Sequence, residues 1–374
     1  MGKRFIIVCG GTGGHLSPGI ALAERLVDRG HGCTLVVSQK EIDTRLRAKY
    51  VDLDFLAVPG VGLVWSLKGV FRFVSSFVQG LHSARALIKD YQPDVIIAFG
   101  GFLSPPYILL GRYHGVYLAL HESNRRPGKS IRTLSRWVDR VYLPEGVRLS
   151  GIPQSRIGSV GYPLRREIVH TKKDLVRKKF GIDEKTRTLV IIGGSQGAQA
   201  LNEWVEVHAM GFALEGINVY CVTGPKNGAA RKHMVTSELG PEVVISYEPF
   251  SDAIGDLFSI ADLVISRAGA GSIAELTACL APSILIPYPH AADQHQLANA
   301  RYFEQMGACV CVLQSALDGL AREVNELIFN DWMLNQMRSN LRQLTREDVA
   351  TEMMCDLEDR LAIVLSERAG DESS

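Results

Sequence analysis

Apolar residues along this chain come in short, nearly continuous runs, separated by longer stretches where they recur every three or four positions. "RFIIVCG", "CTLVVS", "PDVIIAFG" and "VYLALHES" are runs of the first kind, each closing on small or polar residues. They read as strands buried on both faces. Between them lie helical patterns such as "PGIALAERLVDRG", which stops at Gly30. Strands that alternate with amphipathic helices predict a doubly wound parallel sheet.

The pattern then restarts. "RTLVIIGGSQGAQALNEWV" repeats the opening "RFIIVCGGTGGHLSPGIALAERL": apolar strand, paired glycines, a hydroxyl residue, glycine, helix. "INVYCVTGP", "ADLVISRAGAGSIAEL" and "APSILIPYP" continue this second series. The fold class expected is α/β, with two tandem Rossmann-like domains facing a cleft. The seam falls in "VGYPLRREIVHTKKDLVRKKFGI", giving a first domain over 1–162 and a second over 163–345. A helix over 346–368 is expected to pack back on the first domain, ahead of a disordered polar tail over 369–374.

Three loops carry candidate chemistry. The first is Gly10-Gly11-Thr12-Gly13-Gly14. A tight turn would account for it. So would a dinucleotide fingerprint, but the spacing is not GxGxxG, and Ser38 stands where a ribose-binding acid would be expected. A Walker loop fails for want of GK[ST]. What remains is a bare strand-to-helix loop whose amides can approach a phosphate or a sugar. Gly193-Gly194-Ser195-Gln196-Gly197 makes the same offer from the second domain. The third loop runs from Arg267 through Ser272 into a helix carrying Glu275. That carboxylate, expected within the first turn or so, could accept from ribose hydroxyls or simply offset the helix dipole.

Composition narrows the class. The 374 residues suggest two domains, and a formal net charge of +1 gives no global pull toward nucleic acid. The seven cysteines form no CxxC pair and read as buried thiols, with Cys309 and Cys311 sharing a strand face. The start Met1-Gly2-Lys3-Arg4 leads at once into a strand, so a cytosolic chain without a signal peptide or membrane span is expected.

"GGTGGHLSPGIALAERL", "HESN", "GYPLR", "GGSQGAQALN", "SRAGAGSIAEL" and "PYPHAADQHQLANA" resemble, in order and spacing, the bacterial N-acetylglucosaminyltransferases of peptidoglycan synthesis. The resemblance runs from about residue 5 to about residue 340. It implies the two-Rossmann (GT-B) fold and an inverting transfer from UDP-N-acetylglucosamine (UDP-GlcNAc) to the MurNAc 4-hydroxyl of lipid I, giving lipid II. It also implies donor contacts at Thr12, Gly13, Gly14, Asn124, Arg165 and Ser195, at Ala270, Gly271, Ser272, Ile273, Ala274 and Glu275, and at Gln296. Departures from the family pattern are Ser123 in "HESN", Tyr162 in "GYPLR" and the side chains around Phe250-Ser251.

The acceptor hydroxyl needs a base. His15 follows the glycine loop directly and is the leading candidate, with orienting or capping as its alternative; Glu122 is the rival base, beside a structural His121. His290 and His295, five apart, do not have zinc spacing and suit a sugar-reading loop. Asp52-Leu-Asp54 reads as solvated carboxylates on one strand face. No obligatory cofactor or metal is expected, divalent cations being at most stimulatory.

Lipid I sits in a membrane. From Val61 to Arg140 eleven basic residues face four acidic ones, and Trp65, Leu67, Val70, Phe71, Phe73, Val74 and Phe77 lie among Lys68 and Arg72. That suits an anionic leaflet and shallow insertion, although a core helix with a solvated face would look similar. "GGFLSPPYILLG" is expected to line the acceptor side. Expected partners are UDP-GlcNAc, lipid I, the anionic inner-membrane surface and other cell-wall synthesis proteins, with the chain peripheral on the cytoplasmic face. The rivals are a UDP-GlcNAc 2-epimerase, another glycolipid glycosyltransferase on the same fold, and an inactive nucleotide-sugar binding protein.

Overall fold

Phe5, Ile6, Ile7 and Val8 of strand β1 (Arg4–Val8) are all fully buried, yet they belong to two different cores. Phe5 and Ile7 face one and Ile6 and Val8 the other, as the two-residue repeat of a strand requires. The computed structural model describes residues 2–10, 13–39, 48–61, 66–194, 197–225 and 227–371. Two compact units emerge: residues 1–165 with 347–374, and residues 166–346.

In the first unit, β1 is joined by β2 (Gly32–Ser38), β3 (Asp54–Val58), β4 (Val95–Ala98), β5 (Tyr117–His121), β6 (Arg140–Leu143) and β7 (Ile157–Ser159). The order is β3-β2-β1-β4-β5-β6-β7, parallel throughout. The strand order reverses between β1 and β4, which opens a crevice at their carboxyl ends. One face is covered by α1 (Gly13–Asp28) and α12 (Val349–Asp371), through Leu16, Ile20, Met353 and Leu357. Helices α2 (Leu67–Tyr91), α3 (Ser104–Tyr113) and α4 (Lys129–Leu134) cover the other, through Ala84, Ile88, Tyr107 and Ile131.

The second unit has β8 (Arg187–Ile192), β9 (Ile217–Val222), β10 (Arg231–Thr236), β11 (Glu242–Glu248), β12 (Leu263–Ser266), β13 (Ser283–Leu285) and β14 (Cys309–Cys311). Its order is β10-β11-β9-β8-β12-β13-β14, with a reversal between β8 and β12. Around it lie α5 (Lys173–Phe180), α6 (Gln199–Leu214), α7 (Ile254–Ile260), α8 (Ala270–Ala278), α9 (His295–Gln305), α10 (Leu320–Ile328) and α11 (Asp331–Leu344). Among the described residues of this unit, the alternation breaks between β9 and β11, where β10 stands in place of a helix as an exposed edge strand antiparallel to β11.

The boundaries differ slightly from those expected. The first unit runs to Arg165, and the last helix continues to Asp371, well into the segment expected to be disordered. That helix starts on Asp348, whose Oδ1 accepts from the Thr351 N–H at 3.2 Å and from Arg25 Nε at 3.0 Å. Farther along, Arg140 grips Asp356 with two donors at 2.8 and 2.9 Å, and the Tyr142 hydroxyl donates to the same carboxylate at 2.7 Å.

Candidate active site

In the first unit the start of α1 and the residues after β4 lie together at the reversal of strand order. Thr12 lies outside the described residues. Gly13 and Gly14 are not a free loop but the first residues of α1, and His15 stands in its first turn. The half-buried imidazole lies against Gly100 and Gly101, which follow β4. A Cβ on Gly100 would lie 3.6 Å from Nε2, and one on Gly101 3.2 Å from Nδ1. Both glycines have positive φ, 92° and 78°, so only glycine gives the ring this floor without strain. Nδ1 is shut away from solvent.

Glu122 follows β5 and is buried. Its Oε1 accepts from the Ser123 N–H (2.9 Å), the Asn124 N–H (2.8 Å) and Asn124 Nδ2 (2.8 Å), and its Oε2 from the Gly128 N–H (2.7 Å). The carboxylate is the peg around which residues 122–128 turn, and it sets the orientation of Asn124. Oε1 takes three donors and Oε2 one, a structural duty that competes with service as a base. His121 is also buried; its Nε2 bonds the Gly161 carbonyl at 3.1 Å and its ring tilts onto Phe99 at 5.1 Å. Burial lowers its pKa to about 4, partly offset by the bond to Gly161 and the charge of Glu122. It is neutral at physiological pH. Arg165, half-buried, closes the unit.

In the second unit Ser195 and Gln196 lie outside the described residues. Gly194 and Gly197 have φ of 81° and 75°, and the Gly197 N–H returns to the Gly194 carbonyl at 3.0 Å. After β12, Arg267 is buried, donating to the Ile286 carbonyl (3.2 Å) and to Gln314 Oε1 (2.7 Å) with its guanidinium over the Tyr288 ring. Asn299 Nδ2 donates to the Ala268 carbonyl at 3.1 Å. These contacts fix the loop from beneath, and they join Arg267 and Asn299 to partners 19 to 47 positions away, which no local motif marks.

Helix α8 begins earlier than expected, at Ala270, with Gly269 as an N-cap that lends no side-chain acceptor. The first-turn N–H groups of Ala270, Gly271 and Ser272 are therefore the helix's own uncapped donors, at its positive end. Ile273 is buried, and Ala274 and Glu275 follow half-buried. Glu275 is the sixth residue of α8, so it stands in the second turn rather than the first. A simple dipole-offsetting role fits it less well there, since that effect fades within a turn. Gln296 is the second residue of α9, and its Oε1 accepts from the Tyr288 N–H at 2.9 Å. That orients the amide. The turn before it holds Asp293 and Gln294 with φ of 51° and 53°, a strained backbone for two non-glycine residues.

The basic-aromatic stretch divides. Trp65 lies outside the described residues, as does the side chain of Leu67. Phe73 and Phe77 stack at 6.3 Å and turn inward, lining one pocket with Phe102, Pro106 and Tyr107. Phe71 is 76% exposed and Val74 51%, with Val70 and Val78 beside them and Lys68 and Arg72 also exposed. Asp54 starts β3, taking a bond from Thr34 Oγ1 at 2.9 Å, while Asp52 lies in the turn before it. The two do not share a strand face.

Residues 5–143 match the glycosyltransferase family 28 N-terminal domain and residues 188–353 its C-terminal domain. The UDP-N-acetylglucosamine–N-acetylmuramyl-(pentapeptide) pyrophosphoryl-undecaprenol N-acetylglucosamine transferase of Opitutus terrae is 45% identical over 96% of this chain and 95% of its own. The transferase of the same name from Shewanella sp. (strain ANA-3) is 33% identical over 98% and 99%. Among solved structures, MurG of Acinetobacter baumannii has a TM-score of 0.72 at 21% identity, over 96% of this chain and 100% of its own. The Streptomyces sp. SF2575 glycosyltransferase SsfS6, complexed with thymidine diphosphate, has a TM-score of 0.63 at 14% identity, over 95% and 99%. At these identities the two structures speak to the fold alone.

Proposed function

The chain belongs to glycosyltransferase family 28 and, within it, to the UDP-N-acetylglucosamine–N-acetylmuramyl-(pentapeptide) pyrophosphoryl-undecaprenol N-acetylglucosamine transferases, and from that premise we propose the reaction and the residues that carry it. The enzyme moves N-acetylglucosamine from UDP-GlcNAc to the MurNAc 4-hydroxyl of lipid I, giving lipid II. The acceptor oxygen forms a bond to the anomeric carbon as the bond from that carbon to the UDP oxygen breaks. UDP leaves with the electron pair, the configuration inverts, and the hydroxyl proton passes to His15 Nε2. The observation that carries the substrate reading is 45% identity across 96% of the chain to a transferase whose name states both donor and acceptor.

The second unit would hold the donor. The uncapped first turn of α8 can meet the growing charge on the diphosphate. This preorganised positive end supports a mechanism without an obligatory metal. Glu275 would take the ribose hydroxyls, Gln296 the sugar hydroxyls, and Asn124, held by Glu122, the sugar from the first unit. We also place the enzyme peripherally on the cytoplasmic face of the membrane. The exposed stripe of Val70, Phe71, Val74 and Val78, beside Lys68 and Arg72, suits an anionic bilayer, and among the described residues no helix is long and apolar enough to cross one.

The test is transfer of labelled N-acetylglucosamine from UDP-GlcNAc to a short-chain lipid I analogue, by purified protein, with and without EDTA. Product in both arms is expected. Product lost with EDTA would sink the metal-free mechanism and keep the reaction. Epimerised donor, or transfer to another lipid only, would sink the acceptor assignment.

A further inference from the structure

We infer that Tyr162 is a positioning residue for His15, acting through the first turn of α1; the inference rests on the reading of His15 as the base. Helix α1 opens at Gly13 and contains Pro18. In an α-helix the carbonyl of residue i takes its hydrogen bond from the N–H of residue i+4. For Gly14 that donor would be position 18, and proline has no N–H. The proline ring also crowds the same carbonyl and turns it outward. The sequence of α1 thus removes one hydrogen bond from the turn that carries His15, and leaves a carbonyl seeking a donor.

Tyr162 supplies it. Its hydroxyl donates to the Gly14 carbonyl at 3.2 Å, from 148 residues away in sequence. Tyr162 is itself held in place. The preceding Gly161 carbonyl accepts from His121 Nε2 at 3.1 Å, and the following Pro163 is buried with a fixed φ. His121 is anchored by burial and by Phe99. A rigid chain of contacts therefore runs from β5 through His121, Gly161 and Tyr162 to the Gly14 carbonyl, one peptide from His15. The Gly100-Gly101 floor fixes the imidazole from one side, and the Tyr162 tether fixes its backbone from the other. Without the tether the turn can unwind toward the glycine loop, and the ring loses its aim while remaining chemically intact.

Tyr162→Phe removes only the donor. The expected result is a fall in kcat of about tenfold, in line with the cost of slight misplacement of a reacting group. The KM for UDP-GlcNAc should stay within about twofold and the unfolding temperature nearly constant, since one hydrogen bond at an exposed site adds little net stability. The decisive measurement is a double-mutant cycle with His15→Ala. The cost of losing the hydroxyl should disappear when the imidazole is already gone. The same fold-loss in both backgrounds overturns the inference and leaves His15 as the base. Wild-type turnover in His15→Ala removes the base assignment, and this inference with it. Should His15→Ala retain no measurable turnover, the His15 ring signals in 1H–13C spectra of the free enzyme decide. They should move in Tyr162→Phe, and unmoved signals overturn the inference.

Discussion

Glu122 stands where a base would be sought, at the carboxyl end of a central strand, yet its surroundings give it other work. Four donors within 2.9 Å converge on its two oxygens. Glu122→Gln keeps the shape and turns an NH2 group toward one of those donors. If the glutamine oxygen keeps the three donors at Ser123 and Asn124, the Gly128 N–H faces another donor and goes unsatisfied. That costs about 1–3 kcal/mol, read as a lowered unfolding temperature. Transfer should slow by less than about tenfold, with the limbs of the pH–rate profile in place. Loss beyond about a thousandfold with a flattened limb would make Glu122 the base after all. His121 gives a second test. Its pKa is about 4 when folded, against 6.5 for a free histidine, so below about pH 6.5 the unfolded chain binds the extra proton. Stability should therefore fall as pH drops from about 6.5 toward 4, by on the order of 1 kcal/mol per unit. In His121→Asn that part of the slope should vanish; an unchanged slope would mean that some other group titrates.

Helix α2 shows how much a sequence pattern can say about an element. Its apolar and aromatic positions suit either shallow insertion or a core helix with a solvated face, and Ser66 starts the helix by accepting from the Gly69 N–H at 3.0 Å. What the pattern could not divide was which aromatics face inward. Phe73 and Phe77 do, because α3 presents Pro106 and Tyr107 to them, and that contact depends on the folded sheet. The strands were legible because burial on both faces leaves an unbroken apolar run, as in Phe5 to Val8. Strand β10 was not, since "RKHMVT" is an exposed edge with no buried face to print a period. The glycine loops were legible as sites for the same reason that they work: bare backbone at strand ends. The bond from Tyr162 to Gly14 and the props beneath Ala268 were not, because they join positions far apart in sequence. For α2 the expected outcome is specific. Phe71→Ser with Val74→Ser should weaken binding to anionic vesicles at least severalfold and leave the unfolding temperature nearly unchanged, since both side chains are exposed. Equal binding by variant and wild type in a sedimentation assay would move the membrane contact elsewhere.

At the scale of the whole molecule, the chain leaves its first unit at Arg165 and returns to it at Glu347, so the first and last segments of the sequence share one core. Met353, Leu357 and Leu361 of α12 are buried with Ile7, Ile20 and Leu35 of the opening strands and helix. Leu357→Ala should cost the first unit about 2–5 kcal/mol, the usual range for emptying such a site. UDP should act on the other unit, where α8 is proposed to hold it. At about a hundred times its Kd it adds about 2.7 kcal/mol to whatever it binds. Calorimetry of wild type and Leu357→Ala, each with and without UDP, separates the two effects. Units with their own cores should give two transitions: the substitution lowers one, and the nucleotide raises the other. If both perturbations move a single transition, the units unfold as one body, and donor binding would then also stabilise the unit that carries His15. In that event the buried face of α12 would count toward the stability of the donor site, although its residues lie in the other core.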